Sequence, residues 1–232
     1  MLATDAAAAA ATWRPQLFGD RRARDIDDPI VEPLWTGPRV LAFADSGSAR
    51  IIDADGDAVD EFPDIIEALR EAAGGSTLLV EGFLTPEPMQ APAEIAEREI
   101  VRTPRPGDAL TQMIVGSRGE RKERLAEARA EARRRTMDGA DGDIALVAVD
   151  LVWLDDESLC DVPLLERKRI LESVLTESDF VRVGIHVRPP IDTWLGSWRA
   201  FGFRRLSFKA ANSRYLPGRK NPDWAQAEIP HR

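Results

Sequence analysis

The sequence has few histidine, cysteine and lysine side chains that could take part in catalysis. Its two histidines are His186, inside an apolar β-prone run that favours a structural role, and His231, in the C-terminal tail. With Cys160 as the single cysteine, the sequence supports neither a Cys–His dyad nor a zinc site. The chain has only four lysines: Lys122, Lys168, Lys209 and Lys220.

One acidic run resembles the start of a calcium-binding loop. Asp53-Ala54-Asp55-Gly56-Asp57 alternates carboxylates around a glycine. A calcium loop also needs a glutamate six residues after that glycine, and position 62 is Phe. We therefore predict a hairpin turn here, and no metal site.

Hydrophobic periodicity predicts the elements that must position the functional side chains. We predict strands over 39–43, 49–52, 77–84, 144–154, 181–187 and 206–209, and helices over 63–73, 164–175 and 193–201. On the last helix, Trp194 and Trp198 lie four residues apart, a spacing that favours packing over stacking of nucleobases. Between 120 and 135, Glu and Arg recur at helical spacing with little but alanine to bury, which predicts a solvent-exposed helix.

Composition limits the class of protein. The chain has 232 residues, of which 44% are hydrophobic, so it can bury the core of one domain. We predict a mobile leader over 1–25, one domain over 26–232, and a proline-rich surface excursion over 86–140. The net charge of -9 disfavours broad attraction to DNA.

Cysteine content and hydropathy bear on the location of the protein. A single cysteine excludes an internal disulfide, and the alanine run 6–11 is too short to span a bilayer. We therefore predict a cytoplasmic protein without a membrane partner.

Five segments in order resemble motifs of one enzyme family. They are Glu32-Pro33-Leu34-Trp35-Thr36-Gly37-Pro38-Arg39, Leu79 to Leu84, Val149 to Asp155 with the following Pro163-Leu164-Leu165-Glu166-Arg167, Gly202 to Lys209, and Ser213 to Trp224. The chain is similar to ATP-dependent DNA ligases, in particular the bacterial repair type, over about residues 28 to 228. The resemblance implies an α+β nucleotidyltransferase fold, with antiparallel sheets flanked by helices and a nucleotide cleft between them. Ligases continue into an OB-fold domain, which we do not expect in this chain.

The same resemblance marks catalytic positions that hold the wrong residue. Leu34 stands where the family has the lysine that attacks ATP, and a leucine side chain has no lone pair to attack with. Thr36 replaces an aspartate, while Phe83 and Arg204 replace glutamates that the family uses for metal and ribose. An aromatic that stacks on adenine is replaced by Val149, and two phosphate-binding lysines are replaced by Gln226 and Glu228.

Other family positions are retained. Arg39, Lys209 and Arg219 are our candidates for binding nucleotide or phosphate. ATP and Mg²⁺ are implied by the resemblance, although most of their ligands are lost. Glu81 takes the place of a family aspartate, and we expect its side chain on the opposite face of its strand from Phe83.

Three functions fit this pattern. The first is a ligase-like protein that forms no adenylate and binds a nucleotide, DNA ends or a DNA-repair protein. The second is an active ligase in DNA repair and recombination, with an unrecognised nucleophile such as Lys209. The third is a protein-interaction module whose cleft is closed by Leu34, Phe83 and Val149.

Overall fold

The computed structural model describes residues 5–86 and 144–230. The strands in these residues are β1 (Leu17–Phe18), β2 (Pro29–Pro33), β3 (Arg39–Ala44), β4 (Ala49–Asp53), β5 (Leu78–Thr85), β6 (Ala145–Leu154), β7 (Glu157–Ser158), β8 (Val181–Val183), β9 (Arg205–Ala210), β10 (Lys220–Asn221) and β11 (Trp224–Glu228). The α-helices are α1 (Ala6–Thr12), α2 (Pro63–Ala72), α3 (Leu164–Val174) and α4 (Asp192–Ala200). Each strand and helix predicted above within these residues is present, with boundaries shifted by a few residues.

Two antiparallel sheets carry the residues of interest. The larger has the strand order β4-β3-β5-β6-β7, and β8 adds to β6 in parallel. The smaller has the order β11-β9-β2, and its register places Pro33 opposite Leu206. Strands β1 and β10 form a separate parallel pair. The fold is therefore α+β, as predicted.

Helices cover the larger sheet. α2 begins at Pro63, where a proline costs no helical hydrogen bond, and buries Ile65 and Leu69 against β3, β4 and β8. α3 lies against β6 and buries Arg167, whose guanidinium makes two 2.8 Å hydrogen bonds to the carboxylate of Asp150 on that strand. No helix among the described residues is long and apolar enough to cross a bilayer.

The described part of the mobile leader predicted over 1–25, residues 5–25, contains α1 and β1. Residues Ala6, Ala9 and Ala10 of α1 are almost fully buried against β3 and β5, in a cluster that includes Trp153. Alanine side chains are small enough to bring the helix close to the sheet, so a run that reads as low complexity contributes to the core. The segments predicted as a surface excursion over 86–140 and a helix over 120–135 lie outside the described residues, apart from position 86.

Two smaller predictions have clear outcomes. The acidic run 53–57 is a turn, as predicted: one carboxylate oxygen of Asp53 accepts backbone hydrogen bonds from Asp55, Gly56 and Asp57 at 2.9, 2.8 and 2.9 Å. Trp198 is buried, with 2% exposed, and stacks on Trp194 with ring centroids 6.0 Å apart. Trp194 keeps 39% of its surface exposed, so the prediction of a packing role holds fully only for Trp198.

Candidate functional site

A narrow cleft collects most of the positions singled out in the sequence. Its cavity measures about 10 Å³, which is enough for about one water molecule. The cleft is lined by Phe18, Glu32, Pro33, Leu34, Trp35, Arg39, Glu81, Phe83, Val149, Ser207 and Lys209. Leu34 and Trp35 directly follow β2, and the other lining residues lie on β1, β2, β3, β5, β6 and β9.

One side of the cleft is apolar. Phe83 packs against Val147 and Val149 of the neighbouring strand, and Leu34 and Trp35 pack onto this group. The structure thus brings together Leu34, Phe83 and Val149, three of the positions where the chain departs from the ligase motifs. None of their side chains offers a lone pair to a phosphate or an oxygen to a metal ion.

The carboxylate of Glu32 is held by two lysines. Lys168 of α3 contacts its Oε1, and Lys209 of β9 lies 2.6 Å from its Oε2. The Ser207 hydroxyl donates a further hydrogen bond to Oε2 at 3.1 Å. Burial would raise the pKa of Glu32, but the charges of Lys168 and Lys209 outweigh it and lower the pKa to about 2. The carboxylate is therefore ionised at neutral pH.

Lys209, a candidate phosphate ligand, already has partners within the protein. Its ammonium group is almost fully buried between the Glu32 carboxylate and the ring of Trp224, whose centroid lies 4.2 Å away. Burial lowers the pKa of Lys209, and the negative charge of Glu32 offsets this only in part. Lys168 is equally committed, because its amine also donates to the carbonyl of Val149 at 2.8 Å.

Arg39, the second candidate, is bound in a separate network. Its guanidinium forms an ion pair with Glu81 and donates to the carbonyl of Gln16. The Tyr215 hydroxyl donates to the other Glu81 oxygen, which also accepts a 3.3 Å hydrogen bond from the backbone of Gln16. The prediction that Glu81 and Phe83 lie on opposite faces of β5 is wrong: both side chains line the cleft, since residues two apart on a strand share a face.

The remaining predicted site residues lie away from the cleft lining. Arg219, the third candidate phosphate ligand, is exposed, and so are Thr36 and Arg204 at two of the altered positions. Neither the ring of Phe83 nor the guanidinium of Arg204 offers an oxygen that could ligate a magnesium ion. Among residues 5–86 and 144–230, no group of three acidic, histidine or cysteine side chains is placed to bind a metal.

The residues present therefore do not fit ATP with Mg²⁺. The two carboxylates that line the cleft, Glu32 and Glu81, are each neutralised by side-chain cations of the protein.

Sequence reasoning missed Lys168 and two residues of the predicted leader, Gln16 and Phe18, of which Phe18 lines the cleft. Lys168 follows Arg167 on α3, and only the packing of that helix on β6 brings its amine to Glu32. Gln16 belongs to the segment predicted to be mobile, yet it is fully buried. The helix in this segment could have been predicted from the sequence, because Asp5 directly precedes the alanine run and aspartate commonly caps the start of a helix.

Comparison with solved structures identifies the fold. The ligase domain of LigD from M. tuberculosis matches with a TM-score of 0.63 and 20% identity, over 94% of this chain and 60% of that domain structure. A mycobacterial DNA ligase D in complex with ATP and MES matches with a TM-score of 0.61 and 18% identity, over 94% and 60% of the two chains. A Lig E DNA ligase matches with a TM-score of 0.52 and 12% identity, over 93% and 68%.

These similarities concern the fold and not the activity. No protein-family model matches the sequence, and no curated protein matches it significantly. The chain spans about 60% of the length of the two mycobacterial ligase structures. With its antiparallel sheets, flanking helices and cleft, this chain has the nucleotidyltransferase fold of the adenylation domains of ATP-dependent DNA ligases.

Proposed function

We propose that this protein is a non-catalytic, ligase-like protein whose nucleotide cleft is closed by its own side chains. The observation that carries the proposal is the packing of Leu34, Phe83 and Val149 into one apolar cluster at the cleft. Ligation chemistry needs an amine, an adenine platform and a metal ligand at these positions. Three apolar side chains in mutual contact supply none of them.

The charged half of the cleft supports the same proposal. A lysine can attack a phosphate only when its amine is neutral and reaches the phosphorus atom. Lys168 and Lys209 instead share the carboxylate of Glu32, and Lys220 is exposed and paired with Asp20 at 2.8 Å. The metal that would stabilise the transferred phosphate finds no oxygen at positions 83 and 204.

A second candidate function is an active ligase that uses Lys209 as its nucleophile. The lowered pKa of Lys209 favours it, because a lower pKa increases the neutral, nucleophilic fraction of an amine. The ion pair with Glu32 argues against it. This candidate requires Glu32 to release Lys209 and the cleft to open.

Adenylation of the purified full chain tests both candidates. The protein is incubated with α-labelled ATP and Mg²⁺, denatured and resolved on a gel, with an active DNA ligase as the positive control. We expect no labelled protein. A covalent protein–AMP band would overturn the proposal, and loss of that band in Lys209→Met but not in Lys220→Met would identify Lys209 as the nucleophile.

The partners implied by the resemblance are further parts of this proposal. A closed cleft directs any contact with DNA ends or with a DNA-repair protein to the outer surface. We also expect a cytoplasmic location. ATP is the ligand least compatible with the cleft, so we expect the protein to show no thermal stabilisation by ATP with Mg²⁺.

A further inference from the structure

Residues 181–220 carry a charge opposite to that of the whole chain. They include nine Lys and Arg and one acidic residue, Asp192, although the net charge of the chain is -9. Five of these cations are paired with carboxylates: Arg182 with Asp179, Arg188 with Asp28, Lys209 with Glu32, Arg214 with Asp161 and Lys220 with Asp20. Over the described parts of the chain, four arginines have no carboxylate partner: Arg199, Arg204, Arg205 and Arg219.

Two of these four arginines lie close together at the C-terminal end of α4. Arg199 donates hydrogen bonds to the backbone carbonyls of Leu195 and Pro230, at 3.2 and 3.1 Å. Ile229, which precedes Pro230, donates its backbone N–H to the carbonyl of Arg204 at 2.8 Å. Backbone carbonyls carry no net charge, so the positive charges of Arg199 and Arg204 are left for an outside anion.

The same helix presents an aromatic ring beside these charges. Trp194 stacks on Trp198, with ring centroids 6.0 Å apart and ring planes inclined by 30°. Trp198 is buried, packs with Phe203 and accepts a 3.0 Å hydrogen bond from its backbone, directly before Arg204. The buried ring thus supports Trp194, which keeps 39% of its surface exposed. An exposed tryptophan ring held in this way can stack on a nucleobase.

Single-stranded DNA matches this surface better than duplex DNA does. In a duplex the bases stack on one another, so Trp194 has no free base to contact. An unpaired strand offers bases to a ring and phosphates to arginines at the same time. The acidic remainder of the protein disfavours a long duplex, whereas a few unpaired nucleotides need only one local patch.

We propose that Trp194, Arg199 and Arg204 form a binding site for the single-stranded end of a DNA molecule. A base stacks on Trp194, and the two guanidinium groups contact the flanking phosphates. This inference rests on the proposed function, which directs contacts with DNA ends to the outer surface, and it adds the residues that make the contact. Arginine in place of a family glutamate at position 204 reverses the charge and suits a phosphate. Arg205 is left out, because it lies opposite Glu228 in the register of β9 and β11.

Fluorescence anisotropy of the full chain with four labelled probes tests the inference. Three probes share one DNA hairpin, which carries a dT tail, a tail of abasic sites with the same number of phosphates, or no tail. The fourth is a polyglutamate peptide of the same charge as the tail. At low salt we expect the dT tail to bind with a dissociation constant of about 10⁻⁴ M or lower. The abasic tail should bind at least about fivefold more weakly, since it offers no base, and the blunt hairpin and the peptide more weakly still.

Matched variants assign the contact to its residues. Trp194→Ala should weaken binding of the dT tail at least about fivefold, whereas Trp194→Phe, which keeps a ring, should retain most of it. Arg199→Gln with Arg204→Gln should reduce the dependence of log Kd on log salt by about 1.4, since each phosphate contact on a single strand contributes about 0.7. The control is Arg70→Gln with Arg169→Gln, which removes the same charge from arginines paired with glutamates on α2 and α3 and should leave both quantities unchanged.

Three results would overturn the inference, once circular dichroism has shown that the variants are folded. One is no saturable binding of the dT tail, and another is equal affinity for the dT tail and for the abasic tail or the peptide. The third is dT binding that neither Trp194→Ala nor the paired change of Arg199 and Arg204 weakens. None of these results bears on the adenylation assay, and a protein–AMP band would overturn the proposed function whatever the tail binds.

Discussion

A single carboxylate, that of Glu32, joins three elements of the protein. β2 carries it, and it binds Lys168 on α3 and Lys209 on β9. Removing one partner of a buried ion pair costs about 3 to 5 kcal/mol, because the other charge is left without compensation. Here two ammonium groups would be left, so the stability of the fold depends strongly on this one residue.

We predict that Glu32 makes stability depend on acid pH. Its pKa is about 2 in the folded protein, below the ordinary value of 4.5 expected after unfolding. The ionised carboxylate contributes its full share of the free energy of unfolding above pH 4.5. That share is lost as the pH falls from 4.5 toward 2, because the unfolded chain binds the proton at a higher pH than the folded protein does. The total is on the order of 3 kcal/mol.

Urea unfolding of wild type and Glu32→Gln at a series of pH values measures this contribution. We expect wild type to be the more stable at neutral pH and the difference to shrink as the pH falls below about 4.5. Other carboxylates titrate in both proteins and therefore cancel in the difference. A difference that stays constant down to the acid limit would contradict the prediction.

At single positions, the sequence shows which catalytic side chains are missing, but it does not show which contacts the residues of the cleft make. Leu34 and Phe83 can be seen to lack an amine and a carboxylate from their side chains alone, and in the fold both belong to the apolar cluster around Val149. The partners of Glu32 could not be found in this way. Lys168 is 136 positions away in the chain, and its contact depends on how α3 is packed.

Two of the elements missed by sequence reasoning, α1 and β2, break a rule of pattern. α1 has no apolar stripe of large residues, and its helical tendency comes from alanine itself and from the Asp5 cap, whose Oδ1 accepts from Ala8 at 2.7 Å. β2 begins and ends with proline, which argues against a central strand. It lies at an edge of its sheet, where proline is tolerated because fewer backbone donors are needed.

The packing of α1 predicts that its two faces respond differently to charge. Ala9 is fully buried against the larger sheet, whereas Ala11 is exposed. We expect Ala9→Glu to lower the free energy of unfolding by roughly 2 to 5 kcal/mol, since a carboxylate would be buried without a partner. Ala11→Glu, the matched control, should change it by less than about 0.5 kcal/mol. Urea unfolding distinguishes them, and equal stability would mean that α1 does not pack on the sheet.

The whole molecule carries a charge opposite to that of most DNA-binding surfaces. It has 31 Lys and Arg against 40 Asp and Glu. Several of the cations are internal: Arg39, Lys168 and Lys209 all neutralise buried carboxylates and are not available to phosphates outside. These three cations are largely balanced by the carboxylates of Glu32 and Glu81, so the net charge of -9 is carried mainly by the other residues.

We predict that the protein has no general affinity for duplex DNA. Non-specific binding comes from cations that displace counterions from the phosphate backbone, and typical dissociation constants are about 10⁻⁴ to 10⁻⁶ M at physiological salt. For this acidic protein we expect binding to a continuous, end-capped duplex to be weaker than about 10⁻⁴ M, measured by fluorescence anisotropy. The same duplex with a nick or with open ends is the matched comparison. Preference for the nicked or open form would support the predicted contact with DNA ends, whereas sub-micromolar binding to the continuous duplex would contradict the argument from charge.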